Sequence, residues 1–185
     1  MASDASDEIL RRIEEMVERR YLPVIGPDRG HILVELIRRF RPRRILEVGT
    51  FIGYSTVLMG RELDGDSEIV SIEIDGDEAD LARENIEEAE VRAKVRVLTG
   101  DALELIPGLE GEFDLVFLDA AKGEYLDYLR LAEEKIHVGS VIVADNAGMY
   151  SYSMRKYLDY VRKSGRYDSQ FIRINRDGVE VSIKL

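Results

Sequence analysis

The stretch RILEVGTFIGYS, from Arg44 to Ser55, decides the fold class. The residues RILEV are rich in aliphatic side chains and predict a strand. Gly49 and Gly53 then predict a loop, and Ser55 is placed to cap a following helix. A strand, a glycine loop and a helix in this order begin a unit in which helices join parallel strands.

The same alternation of strand and helix recurs along the chain. Further strands are predicted at residues 67–75, 94–100, 113–119 and 140–145, and helices at residues 6–20, 27–40, 77–90, 125–136 and 153–163. Strands that are apolar on both sides and alternate with helices indicate a parallel sheet covered on both faces. Asp177 and Gly178 separate two alternating runs and predict a final hairpin. The predicted fold is α/β: a Rossmann-like, doubly wound, mostly parallel seven-stranded sheet with an antiparallel C-terminal strand and helices on both faces.

Length and composition narrow the class of protein. The 185 residues suit a single domain, with N-terminal helices in residues 1–43 and the sheet core in residues 44–185. The formal net charge of −11 disfavours a general nucleic-acid binder, and the lack of cysteine excludes disulfides and a thiolate nucleophile. The charged N-terminal segment lacks the apolar core of a signal peptide, and no apolar run approaches the length of a membrane span. We therefore expect a cytoplasmic protein with no membrane partner.

Acidic residues recur at the carboxyl ends of the predicted strands, where ligands bind in an open parallel sheet. These residues are Glu47, Glu73, Asp75, Asp101, Asp119 and Asp145. Helix capping explains Asp75 or Asp101, taken singly, about as well as ligand binding does. It explains the whole set less well, because Lys122 and Asn146 lie beside the last two acids.

The glycine loop after the first strand lacks the G-x-G-x-x-G pattern of dinucleotide-binding proteins. Thr50 and Phe51 stand where a close approach to pyrophosphate requires small residues. The loop therefore suits a smaller, nucleoside-type ligand, and Glu73 is placed to accept hydrogen bonds from both ribose hydroxyls. A nucleoside without pyrophosphate points to S-adenosylmethionine.

Asp119, Asp145 and Asn146 follow two strands that are expected to be neighbours. Two carboxylates and an amide suit a hard cation such as Mg²⁺. The alternative is a pair of helix-capping aspartates beside a turn asparagine. Lys122 lies one turn beyond Asp119 and is either part of the same site or a solvated lysine at a helix start.

The segments ILEVGTFIGYST, VSIEID, GDALELIP, FLDAAKGEY and VADNAG, in this order and spacing, resemble the cation-dependent catechol-type O-methyltransferases, in particular their bacterial and archaeal branch. The resemblance covers nearly everything from about Val24 onward. It implies a class I methyltransferase that transfers a methyl group from S-adenosylmethionine to a hydroxyl of a catechol-like or other vicinal-oxygen acceptor. It implies that Lys122 is the catalytic base and that Mg²⁺, or another divalent cation, is held by Asp119, Asp145 and Asn146. It implies that S-adenosylmethionine is bound by Ile25, Glu47, Gly49, Phe51, Gly53, Tyr54, Ser55, Glu73, Ile74, Asp101, Ala102 and Asp119.

The acceptor is left open between a small hydroxylated aromatic compound and tRNA. The animal catechol enzymes carry a glutamate before the last hairpin that binds the second hydroxyl, whereas QFIRIN, residues 170–175, contains no acid. Some bacterial relatives methylate 5-hydroxyuridine in tRNA, which also offers two adjacent oxygens. The segment after Asn146 combines aromatic and basic residues that suit either RNA contact or packing on the sheet. Relatives are often dimers, so a homodimer is also an expectation.

Two other classes of protein remain as alternatives. A non-catalytic S-adenosylmethionine-binding protein has no need of the base and metal-binding residues predicted here. A nicotinamide-dependent dehydrogenase is disfavoured by the missing G-x-G-x-x-G pattern and by the lack of an acid–base histidine or tyrosine beside the loop.

Overall fold

The computed structural model describes residues 5–20 and 22–185. The α-helices are α1 (Ala5–Arg20), α2 (Gly26–Phe40), α3 (Tyr54–Gly60), α4 (Gly76–Glu88), α5 (Ala102–Leu105), α6 (Tyr125–Ala132) and α7 (Arg155–Lys163). The strands are β1 (Arg44–Val48), β2 (Glu68–Glu73), β3 (Lys94–Thr99), β4 (Phe113–Leu118), β5 (Ile136–Ala144), β6 (Tyr167–Ile174) and β7 (Asp177–Lys184). The N-terminal segment is predicted to lack a signal peptide. Residues 1–4 of that segment lie outside the described residues.

All seven strands form one sheet in the order β3-β2-β1-β4-β5-β7-β6. Strands β1 to β5 pair in parallel, and β7 pairs antiparallel with both β5 and β6. The predicted fold class is confirmed, including the antiparallel C-terminal strand. The order reverses direction between β1 and β4, and such a switch point opens a crevice at the carboxyl ends of the two strands.

Both faces of the sheet are covered because consecutive strand residues point to opposite sides and both sets are apolar. In β1, Ile45 packs in a cluster with side chains of α1, α2, α3 and α4. Its neighbour Leu46 packs in the opposite cluster with side chains of α6 and α7. Leu115 and Val116 of β4 divide in the same way. The central strands are thus held on both sides, which keeps their carboxyl ends in a constant position.

The segment between β4 and β5 differs from the expected pattern. The helix predicted through residue 136 ends as α6 at Ala132, and a short 3₁₀ turn leads directly into β5. Ile136 is already a strand residue, buried and paired with Phe113 of β4. Tertiary pairing therefore overrides the helical pattern of the last residues of this segment.

Among residues 5–20 and 22–185, no helix has both the length and the apolar character that crossing a membrane would require.

Candidate active site

A cavity of about 780 Å³ opens at the carboxyl ends of the parallel strands. Most of the residues predicted to bind S-adenosylmethionine or a metal line it. They are Ile25, Gly49, Phe51, Glu73, Ile74, Asp101, Ala102, Asp119, Asp145 and Asn146, and the predicted base Lys122 lines the cavity as well. The cavity therefore collects side chains from widely separated parts of the sequence, as expected for the edge where parallel strands end.

The crevice depends on a close approach between the ends of β1 and β4. Gly49 has a φ of 98°, and a Cβ there would lie 2.2 Å from the carbonyl oxygen of Asp119. The Asp119 N–H in turn donates to the Val48 carbonyl at 2.9 Å. Only glycine fits this backbone, so the first glycine of the loop brings Asp119 against the loop.

The loop is shaped further by the carboxylate of Glu73 at the end of β2. Its two oxygens accept the N–H of Phe51 at 2.7 Å and the N–H of Asp75 at 3.0 Å. Phe51 has a φ of 49°, a backbone conformation that few non-glycine residues adopt. Glu73 thus anchors the loop between β1 and α3 while it lines the cavity.

The capping interpretation holds for two of the acids. Asp75 accepts the N–H groups of Asp77 and Glu78 and caps α4. Asp101 accepts the Leu103 N–H at 2.8 Å and caps α5. Asp101 also lines the cavity, whereas Asp75 does not, so capping and a position in the site are compatible at Asp101.

The other four predicted cofactor residues, Glu47, Gly53, Tyr54 and Ser55, do not line the cavity. Tyr54 is buried, and its hydroxyl donates to Glu14 of α1 at 2.5 Å. The expectation that Ser55 caps α3 is wrong: Gly53 occupies the N-cap position, and the Ser55 hydroxyl donates to Glu47. The first turn of α3 is therefore tied to the sheet beneath it.

Glu47 is completely buried below the loop. Its carboxylate accepts hydrogen bonds from three hydroxyls, those of Ser55, Thr56 and Ser71. Burial raises the pKa of Glu47 to about 7, even though the three hydroxyls favour the charged form. Glu47 thus supports the loop from below.

We expect the buried Glu47 to make stability decrease as pH rises. The folded-state pKa of about 7 exceeds the ordinary 4.5, so the folded protein binds this proton more tightly than the unfolded chain does. The stabilisation is fully present below pH 4.5 and is lost as pH rises through 7, a change of about 3 kcal/mol.

The Glu47→Gln variant should lose this dependence, and its free energy of unfolding should rise relative to the parent between pH 5 and 8. Denaturant unfolding across this range tests it, with Glu84→Gln at an exposed position of α4 as the control. A difference between Glu47→Gln and parent that is constant with pH would contradict the prediction.

Asp119 directly follows Leu118 of β4, and Asp145 directly follows Ala144 of β5. Leu118 and Ala144 are paired neighbours in the sheet. Asp145 is fully buried, and neither of its carboxylate oxygens has a hydrogen-bond partner among the residues that the structure describes. Burial, and next the charge of Asp119, raise the pKa of Asp145 above its ordinary value, although Arg29 opposes the shift. A buried carboxylate without hydrogen bonds is costly, so this position suits a bound cation.

Lys122 lies at the same edge of the cavity. Its Nζ is 2.6 Å from Asp119 Oδ1 and donates to the Tyr125 hydroxyl at 2.8 Å. Burial raises the pKa of Tyr125 well above its ordinary value, with the charges of Asp119 and Asp145 next in effect. Tyr125 therefore keeps its proton and orients the amine of Lys122.

Sequence reasoning missed two charged residues of this site, Arg29 in α2 and Asp177 at the start of β7. The Arg29 Nε lies 2.8 Å from Asp145 Oδ1, but its N–H is not directed at that oxygen, and both atoms lack a hydrogen-bond partner among the described residues. Arg29 Nη1 lies 3.5 Å from Asp177 Oδ2. The sequence around Asp177 indicates only a turn, and the GPDRG segment that contains Arg29 lies before β1, so neither pattern points to this edge.

Apolar side chains also line the cavity. Val17 and Leu22 come from the end of α1 and the segment after it, and Met149 and Tyr150 come from the turn after β5. Met149 and Tyr150 are exposed by 63% and 44%, which leaves them free to cover a ligand.

Comparison with known proteins places this geometry in a family. The family model described as O-methyltransferase matches residues 1–177. The chain is 33% identical over 180 residues to catechol O-methyltransferase B of Danio rerio, covering 90% of this chain and 67% of that protein. It is 36% identical over 126 residues to the catechol O-methyltransferase of Niastella koreensis, covering 66% of this chain and 57% of that protein. The chain thus spans about two thirds of the length of the first of these relatives and little more than half of the length of the second.

Solved structures with a similar fold include other O-methyltransferases. An O-methyltransferase of Bacillus cereus in complex with SAH is 26% identical, with a TM-score of 0.87 over 97% of this chain and 91% of that one. TomG of Streptomyces achromogenes, an O-methyltransferase involved in tomaymycin synthesis and solved in complex with SAM, is 28% identical, with a TM-score of 0.88 over 96% and 90% of the two chains. Sequence and fold agree, and the chain belongs to the O-methyltransferase family.

Proposed function

We propose that this protein transfers a methyl group from S-adenosylmethionine to one of two adjacent oxygens of a small aromatic acceptor, with the help of a divalent cation. The observation that carries the proposal is the buried Asp145 carboxylate beside the Asp119–Lys122 pair: its oxygens have no hydrogen-bond partner among residues 5–20 and 22–185, although Arg29 Nε lies 2.8 Å away. A protein that only binds a nucleoside has no use for this arrangement.

The cofactor part of the proposal is supported by the shape of the cavity and by the relatives. Ile25, Phe51, Glu73, Ile74 and Asp101 line the cavity, and in this proposal they hold the nucleoside. S-adenosylmethionine, when bound, supplies an electrophilic methyl group on its sulfonium. Two solved relatives carry this compound or its demethylated product. Glu47 and Ser55 would act indirectly, by fixing the loop.

The residues present fit a divalent cation. Asp119, Asp145 and Asn146 offer only oxygen atoms, the donors that Mg²⁺ prefers. Within the described part of the chain, no group of three or more aspartate, glutamate, histidine or cysteine side chains is arranged to hold a metal, so the amide of Asn146 would have to complete the set. Such a cation, when bound, would lower the pKa of a hydroxyl in an acceptor with two adjacent oxygens.

Lys122 would remove the proton of the attacking hydroxyl. In this structure its amine is paired with Asp119 as an ammonium, so it must give a proton to solvent and separate from that carboxylate before it can act as a base. The hydrogen bond to Tyr125 keeps the amine at the cavity edge when the pair opens. Holding the hydroxyl near the methyl group would supply much of the rate, because proximity removes the entropy cost of a bimolecular encounter.

The acceptor is proposed to be a small aromatic compound because the apolar side chains of Val17, Leu22 and Met149 and the ring of Tyr150 line the cavity. The relatives named catechol O-methyltransferase point in the same direction. A tRNA acceptor stays a prediction.

The proposal is tested by methyl transfer from labelled S-adenosylmethionine to two matched acceptors, catechol and phenol, each with Mg²⁺ and with EDTA. We expect transfer to catechol only, and only with Mg²⁺, because phenol lacks the second oxygen. Equal rates of methyl transfer with Mg²⁺ and with EDTA would show that the reaction does not need a cation. Binding of S-adenosylmethionine by calorimetry with no transfer to either acceptor would direct the search to a different acceptor class.

A further inference from the structure

The amide of Asn146 is fixed by a residue from the other end of the sequence. Asn146 Nδ2 donates to Asp177 Oδ2 at 2.9 Å. A carboxylate can only accept, so the amide nitrogen must face Asp177 and the amide oxygen must face away from it. Asn146 itself lines the cavity, and the orientation of its side-chain amide there is therefore fixed.

The second oxygen of Asp177 has a separate task. Asp177 Oδ1 accepts the N–H groups of Gly148 and Met149 at 3.1 and 2.8 Å. These bonds hold the turn after β5, where Asn146 has a φ of 62°. At Gly148 a Cβ would lie 3.0 to 3.1 Å from Asp177, so the turn and the carboxylate are in close contact. Oδ1 thus shapes the turn, and Oδ2, which also lies 3.5 Å from Arg29 Nη1, orients the amide.

We propose that Asp177 is a positioning residue for the cation site, which holds the Asn146 amide so that its oxygen, and not its nitrogen, is offered as a ligand. This inference rests on the proposed function, because it concerns the cation of that mechanism. Asn146 differs from the carboxylates of the set in that only one of its two terminal atoms can bind a cation. The orientation of its amide therefore decides whether the site has three ligands or two.

The Asp177→Asn variant separates the two tasks. Its amide oxygen can still accept the N–H groups of Gly148 and Met149, so the turn keeps its shape. Its amide nitrogen then faces Asn146, where two N–H₂ groups would repel each other. Asn146 should turn over to accept from residue 177, which directs its own nitrogen at the cation position.

We expect Asp177→Asn to weaken Mn²⁺ binding by about 10- to 100-fold, the effect typical of a lost outer partner of a metal ligand. Mn²⁺ is titrated calorimetrically into the parent and the variant, and the melting temperature and the affinity for S-adenosylmethionine should stay unchanged. The double variant Asn146→Asp with Asp177→Asn exchanges the two groups. Its amide at 177 can donate to the carboxylate at 146, so an oxygen faces the cation again and binding should recover.

The matched control is Asp114→Asn at the opposite end of the sheet. Asp114 Oδ2 also accepts two backbone N–H groups, those of Arg43 and Arg44, and its Oδ1 contacts His137. This variant should bind Mn²⁺ like the parent. If the parent binds no Mn²⁺, the cation of the proposed function is wrong. If the parent binds and Asp177→Asn binds equally well, or if the exchanged pair stays as weak as Asp177→Asn while folded, the orienting role of Asp177 is wrong.

Discussion

Replacing Lys122 by methionine should lower kcat for methyl transfer to a vicinal diol by about 10²- to 10⁴-fold, the range typical of a lost general base. Methionine keeps much of the length of the lysine side chain and cannot take up a proton. Lys122 is only 17% exposed, and among the residues that the structure describes no other lysine lines the cavity. The affinity for S-adenosylmethionine should change little.

Two comparisons separate the role of a base from that of a charge. Lys122→Arg keeps a cation beside Asp119, but arginine does not give up its proton at ordinary pH, so this variant should be as inactive as the methionine variant. Lys163→Met removes a lysine–aspartate contact of the same length, 2.6 Å to Asp159, on the exposed face of α7, and should be fully active. An active Lys122→Arg variant would show that Lys122 serves as a cation and that the base lies elsewhere.

Asp145→Asn should remove cation binding and lower the rate of methyl transfer by about three orders of magnitude, since a metal ion stabilises developing charge by several kcal/mol. The asparagine side chain keeps the shape of the aspartate and loses the charge that a buried cation requires. The loss of Mn²⁺ or Mg²⁺ affinity in calorimetry should exceed that of Asp177→Asn, because a direct ligand is lost and not its outer partner.

The affinity for S-adenosylmethionine provides the internal control for Asp145→Asn, because Asp145 is predicted as a cation ligand and not as a nucleoside contact. Asp101→Asn should give the opposite pattern, with weaker S-adenosylmethionine binding and unchanged cation binding. If the Asp145→Asn variant bound Mg²⁺ as tightly as the parent does, the acids at this edge would serve the fold alone.

Much of the fold was predictable because it follows from local patterns. The bounds of β1, Arg44–Val48, coincide with the predicted strand, and the apolar runs of β4 and β5 identify the buried centre of the sheet. Parallel strands that are apolar on both sides can be stacked only between two layers of helices. The carboxyl ends of such strands meet at one edge whatever the loops contain, so the grouping of Asp119, Asp145 and Asn146 could be expected from order alone.

The contacts that complete the site were not predictable. Arg29 and Asp177 lie 148 positions apart in the numbering (177 − 29), yet both approach the same edge of the sheet. Tyr54 and Ser55 show the reverse case, since the family resemblance implied that they bind S-adenosylmethionine. The helix that begins at Tyr54 turns their hydroxyls toward α1 and the sheet interior instead.

By itself, the sequence determined the order of strands and helices, the two-sided burial of the sheet and the edge at which its acids and its lysine collect, because these depend on periodicity and on chain direction. Only the tertiary structure decided which hydrogen-bond partner each of those side chains has. That choice depends on the distances between remote segments, as when Asp177 from the last hairpin sets the orientation of the Asn146 amide.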